Sequence, residues 1–327
     1  MSGNFQAGLK GLLLGDGLSR QNSVERLALT TKRRINRFQT LTKFSFDNGL
    51  TTFPEPYVHA FPQKILKLFP GDDSEWFYFS TSIAKNGISA KQEWQELSMS
   101  HEKVRARLGT KTALRNLAEG LSAPMSGHDN PHYFDSISML RAAGIASVVD
   151  GDLNQILMKV EADVTQTHSL DGLWCAKSIA ALVYFLKNGE NLNISLAKSL
   201  EQIPEKSLTS QIMKNAKVIC ENATEEIQLA LDLEQKLVDR IYCYPYSSSE
   251  LLALIYSSLW LNSDTKLKFT TSFLHRRHND SLPAILGYLL GFIFGDSWIP
   301  ELEAPSFIMD GLCIPELKGK NLLDLLD

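Results

Sequence analysis

His278-Asn279-Asp280-Ser281-Leu282-Pro283-Ala284-Ile285-Leu286-Gly287-Tyr288-Leu289-Leu290-Gly291-Phe292-Ile293-Phe294-Gly295-Asp296 is a polar loop that runs straight into an apolar helix. Gly287, Gly291 and Gly295 recur every four residues and so fall on one helical face. Glycine inside a helix costs roughly 1 kcal/mol relative to alanine, so three in register predict a second helix that approaches this backbone closely. Pro283 suits the first turn, and Asp280 or Ser281 is placed to cap the free N–H groups before it.

A second smooth helix is expected near the start, where Gly8, Gly11 and Gly15 share roughly one face of the stretch from Phe5 to Leu18. The same residues also fit a helix that stops at a glycine C-cap. Farther on, Gly71-Asp72-Asp73-Ser74-Glu75-Trp76-Phe77-Tyr78-Phe79 sets adjacent carboxylates at a helix start. Such carboxylates can act together on a hard cation, and they also fit an ordinary acidic helix cap. The polar loop from Ser122 to Pro131 leads into Asp135-Ser136-Ile137-Ser138-Met139-Leu140-Arg141, and Thr167-His168 stands before a long apolar helix. His168 is a candidate by type, since imidazole titrates near neutrality; a hydrogen-bonding or capping role is the other reading.

The chain's 327 residues, 44% of them hydrophobic, can bury a large core, and we read them as one domain spanning 1–327. A net charge of −4 offers no overall attraction to nucleic acid or to an anionic membrane surface. No apolar run is long enough to span a bilayer, so a chain without membrane attachment is expected. Cys175, Cys220, Cys243 and Cys313 form no C-x-x-C pair and suit reduced thiols, which points to the cytoplasm. Lys32, Arg33, Arg34 and Arg37 make a basic cluster that could hold a pyrophosphate or simply form a solvated face. A short helix is expected at 59–68, and residues 90–121 read as one or two amphipathic surface helices without chemistry. No stretch reads as a strand and no fixed-period repeat is visible, so the expected fold is all-α and compact.

Taken together and in order, these blocks resemble the ADP-ribosylglycohydrolases. The last block of that family reads approximately G-N-D-T-D-T-x-A-A-I-x-G-A-L-x-G-A-x-x-G followed by I-P, against His278 to Gly295 with Ile299-Pro300 here. Gly15-Asp16 resembles the opening G-D-A-L-G, Asp72-Asp73-Ser74-Glu75 the T-D-D-T-E segment, Met139 and Arg141 the M-R block, and Thr167-His168 the T-H pair. The resemblance implies an orthogonal multi-helix bundle in which the first and last glycine-faced helices pack under the active site. It implies hydrolysis of an ADP-ribosyl N- or O-glycosidic bond, with ADP-ribose or an ADP-ribosylated protein as partner. By the same resemblance Asp72, Asp73 and Asp280 are the metal ligands. Asp73 and Glu25 are the catalytic candidates, and Asp16, Ser136, Arg141 and His168 the substrate-binding ones. The departures from the pattern are specific. Leu282 replaces the second carboxylate of the last block and Pro283 its threonine, Gly71 replaces the first threonine of the T-D-D-T segment, and Ser23 stands at the usual glutamate position, with Glu25 two residues on. Three carboxylates suit at most one Mg2+ or Mn2+ ion, or none. Two expectations follow: hydrolysis that is reduced or lost, or an inactive family member that binds ADP-ribose, binds a partner or serves structurally.

Overall fold

The computed structural model describes residues 2–27, 45–49, 51, 68–239, 241, 246–301 and 305–327, with the backbone alone at 2–3 and 20–27. The basic cluster, all but the last residue of the short helix expected at 59–68, and the side chains of Ser23 and Glu25 lie outside the described residues.

The chain runs through α1 (Ser2–Leu27), α2 (Asp72–Lys85), α3 (Ala90–Met99), α4 (Leu108–Ala118), the single turn α5 (Met125–His128), α6 (Ile137–Val148) and α7 (Leu153–Val164). It continues with α8 (Leu170–Lys187), α9 (Leu192–Ser199), α10 (Leu208–Glu221), α11 (Glu226–Lys236), α12 (Ser248–Trp260), α13 (Thr265–Thr271) and α14 (Leu282–Phe294). No strand occurs among the described residues, only two isolated bridges, Asp135 with Ser247 and Ile308 with Asn321. The fold is all-α, as the sequence leads one to expect. None of the described helices is long and apolar enough to cross a membrane.

α14 is the centre of the molecule because it is apolar all round and every residue from Leu282 to Phe292 is buried. Its glycine face meets α1 backbone to backbone. A Cβ on Gly11 would lie 2.0 Å from the carbonyl oxygen of Gly287, one on Gly15 2.0 Å from that of Pro283, and one on Gly291 2.2 Å from that of Ala7. Ordinary carbon contacts are far longer, so no side chain fits at these points. α1 does not stop at its glycines but runs on to Leu27, which removes the C-cap reading. α14 does stop at one: Gly295 has φ 76°, a left-handed conformation that glycine adopts without a Cβ penalty.

The packed pair carries the ends of two other elements. α2 begins at Gly71 with no side chain of its own capping it. Asp16 of α1 does that instead: its Oδ2 accepts from the backbone N–H of Gly71 (2.7 Å) and of Ser74 (2.9 Å) and from the Ser74 hydroxyl (2.5 Å). A Cβ at position 71 would lie 2.2 Å from Asp16 Oδ1, so the carboxylate fills the space that any larger residue would need. α6 packs against α2 and α8 against α6, and the core formed by these helices is continuous with that of α12 and α14.

Candidate active site

Asp72, Asp73 and Asp280 converge, although more than two hundred residues separate the last from the first two. What they converge on is Arg107. Its Nη2 lies 3.1 Å from Asp280 Oδ2, 3.4 Å from Asp73 Oδ1 and 3.8 Å from Asp72 Oδ2. The same nitrogen donates to the Ser281 hydroxyl at 2.6 Å. Nη1 lies 3.7 Å from Asp135 Oδ1 and donates to Ser136 Oγ at 3.4 Å. The guanidinium plane stands 4.1 Å from the centroid of the Tyr246 ring, a cation–π contact.

Each of these side chains is delivered by an element end. Asp72 and Asp73 open α2, Asp280 and Ser281 precede α14, Asp135 and Ser136 precede α6, and Arg107 is the N-cap residue of α4 in an extended conformation (φ −65°, ψ 162°). Of the two residues expected to cap α14, Asp280 or Ser281, Ser281 is the N-cap residue but makes no side-chain cap, and its hydroxyl accepts from Arg107. The segment 90–121, expected to carry no chemistry, thus supplies the cation at the centre of the site.

The electrostatics follow from this crowding. Burial pushes the Asp16 carboxyl up to about 6, against the three hydrogen bonds from Ser74 and Gly71 that favour its charged form. Asp73 is raised well above the ordinary carboxylate value, first by burial, and Arg107 opposes that shift. Asp72 moves upward too, by burial and then by Asp280, though its side chain is a third open to solvent (32%) and water screens part of the effect. Burial would lower the Arg107 guanidinium, but Asp73, Asp135 and Asp280 outweigh it and hold the group firmly protonated. Asp73 Oδ2 is buried and has no hydrogen-bond partner among the described residues.

A cavity of about 290 Å³ opens onto this cluster, lined by Asp72, Trp76, Arg105, Arg107, Tyr246 and Asp280, with the C-terminal segment Leu312-Cys313 on one side. Glu75, fully buried, anchors that segment: its carboxylate accepts from the backbone N–H groups of Leu312, Cys313 and Ile314 at 2.6, 2.7 and 3.1 Å. A larger cavity of about 860 Å³ lies elsewhere, lined among others by Met213, Lys214, Lys217 and Trp260, and none of the residues discussed above borders it.

Among the other sequence candidates, Asp16, Ser136, Arg141 and His168 do not line the cavity. Arg141 is fully buried, with Nη2 2.5 Å and Nε 2.9 Å from Asp163 Oδ2, Nη1 2.8 Å from Thr167 Oγ1, and its guanidinium 4.4 Å from the Trp94 ring. His168 is fully buried and its Nδ1 lies 2.6 Å from Thr167 Oγ1. Burial, and then Arg141, push its pKa well below the usual imidazole value, so the ring is neutral. Both are buried in the interior beside α2, α6 and α7. Asp16 is 1% exposed and caps α2, and Ser136 accepts from Arg107. The sequence reading missed Arg107, Asp135 and Tyr246. One signal for the first was available: a cation beside a helix N-terminus opposes the helix dipole and calls for a carboxylate partner from elsewhere.

The described residues thus form helices around a glycine-packed pair, with an acidic cleft assembled from helix N-termini. The family model for ADP-ribosylglycohydrolase matches residues 3–312, and the chain belongs to that family. No curated protein matches the chain in a direct search. Members of that family act on ADP-ribosylated substrates and are generally metal-dependent.

The residues present, with Arg107 among them, do not fit the metal that such a dependence implies. Among the described residues, no group of three or more His, Cys, Asp and Glu side chains is arranged to hold a metal ion. The oxygens of Asp72, Asp73 and Asp280 are spaced for a guanidinium nitrogen at 3.1 to 3.8 Å, whereas hard divalent cations take oxygen at about 2.0–2.6 Å. Leu282 and Pro283 are buried apolar residues at the positions that lack donors.

Proposed function

We propose that this chain is an ADP-ribosylglycohydrolase-like protein, a single helical domain that binds ADP-ribose or ADP-ribosylated protein, with hydrolysis of the ADP-ribosyl bond reduced or lost. The observation that carries the reading is the Arg107 guanidinium, set between the three carboxylates that metal chemistry would require. A guanidinium can donate hydrogen bonds to ribose hydroxyls in a fixed fork. It does not lower the pKa of a bound water as a divalent ion does, and being held firmly protonated it cannot serve as a base. Asp73, raised and paired with Arg107, is the remaining candidate base, and Tyr246 and Trp76 offer aromatic walls to a nucleoside. Three buried unbridged thiols, Cys175, Cys220 and Cys313, support a reducing, cytoplasmic location.

The test is to measure ADP-ribose binding by calorimetry in EDTA, and ADP-ribose release from ADP-ribosyl-arginine and ADP-ribosyl-serine substrates with Mg2+ or Mn2+. Binding without turnover is expected. Robust metal-dependent release that vanishes in Asp73→Ala would overturn the loss of hydrolysis, and absence of ADP-ribose binding would overturn the ligand.

A further inference from the structure

We infer that Arg107 is a built-in counter-ion that stands in for a divalent cation and bars one from the cleft, so that removing its charge uncovers a Mn2+- or Mg2+-binding cradle. The inference rests on the reading of this cleft as the family's site. Its support is the arrangement around one atom. Nη2 of Arg107 has three carboxylate oxygens and the Ser281 hydroxyl oxygen about it, the all-oxygen environment that a hard cation selects. Two positive charges cannot share that space, since like charges a few ångströms apart in a partly buried site repel strongly.

The guanidinium is not a stray surface side chain that swings aside. It is 11% exposed, stacked on Tyr246 and tied on its second nitrogen to Asp135 and Ser136. The backbone leading to it is fixed as well, because the Arg105 N–H donates to the carbonyl of Cys313 at 2.9 Å. An independent observation shows spare ligating capacity: Asp73 Oδ2 is buried and makes no hydrogen bond among the described residues. A carboxylate oxygen left without a donor in the interior is costly, and a cation drawn to the vacated place would satisfy it. Once Arg107 is gone, the carboxylates of Asp72, Asp73 and Asp280 must be balanced either by protons or by a cation. The oxygens need to contract by about 1 Å, or to hold the ion through its waters, as Mg2+ commonly allows.

The experiment is a Mn2+ titration followed by the electron paramagnetic resonance signal of the free ion, on purified, folded protein at neutral pH. Wild type is expected to show no saturable binding in the millimolar range, whereas Arg107→Ala binds one equivalent at least about tenfold more tightly than any residual wild-type association. Arg107→Lys, which keeps a positive charge, behaves as wild type, and Asp73→Asn added to Arg107→Ala abolishes the new site. Arg107→Gln replaces Arg107→Ala if the alanine variant fails to fold. Saturable stoichiometric Mn2+ binding by wild type overturns the inference without recourse to any variant. Folded Arg107→Ala or Arg107→Gln that binds no Mn2+ overturns it equally. ADP-ribose calorimetry on wild type is independent of these outcomes, so failure of the ligand reading and failure of the counter-ion reading are told apart.

Discussion

Replacing Gly11 with alanine tests the packing that positions the whole cleft. The new methyl would sit 2.0 Å from the Gly287 carbonyl oxygen and 2.7 Å from its carbonyl carbon, both backbone atoms of α14. Relief requires the two helices to part by more than 1 Å, because ordinary contacts begin at about 3.5 Å. Alanine gains roughly 1 kcal/mol over glycine in helix propensity, while overpacking against rigid backbone costs about 1–3 kcal/mol or more. The deficit is on a main chain that cannot rotate away, so the upper end applies and the net loss should be on the order of 1–2 kcal/mol. Urea denaturation followed by far-ultraviolet circular dichroism reads this directly, with Gln6→Ala on the exposed side of α1 as the control, expected within about 0.5 kcal/mol of wild type. Asp280 lies just before α14, so ADP-ribose affinity should fall along with stability. Gly11→Ala as stable as wild type would refute the close-approach argument.

Arg141→Met should cost about 3–5 kcal/mol in denaturation experiments, because it strands the buried Asp163 carboxylate, yet leave ADP-ribose affinity of the folded protein unchanged. The raised Asp16 pKa means that the folded state holds a proton the unfolded state has lost between the ordinary value of 3.8 and about 6. Stability from this group is therefore full below the lower value and is lost as pH rises through about 6, by at most about 3 kcal/mol, and Asp16→Asn should flatten that part of the stability–pH curve. Glu75→Gln exchanges charge-assisted bonds to three backbone N–H groups for weaker neutral ones, so limited proteolysis should cut the segment after Met309 faster, with a stability loss of about 1–3 kcal/mol.

What the residues determine by themselves is whatever rests on local geometry. The four-residue glycine spacing of α14 and the glycine face of α1 announce a close helix pair, because only a smooth face makes such costly residues useful there. Acidic residues at the starts of α2 and before α14 follow from helix-terminus chemistry, and the order of the motifs carries the family resemblance and with it the all-α fold. A cap whose partner lies within three residues is a local feature, as Ser247 accepting from Glu250 N–H shows. Capping was not legible at α2, where the cap is Asp16 from 55 residues earlier, nor at Ser281, whose hydroxyl goes to a side chain 174 residues away. The placement of Arg107 belongs to tertiary structure alone. A guanidinium reaches several ångströms from its backbone, and which carboxylates it meets depends on how α2, α4, α6 and α14 bring their N-termini to one point. Long-range charge pairing leaves no period in the sequence, so the chain's letters show three carboxylates at helix starts, and only the folded molecule shows the guanidinium that gathers them.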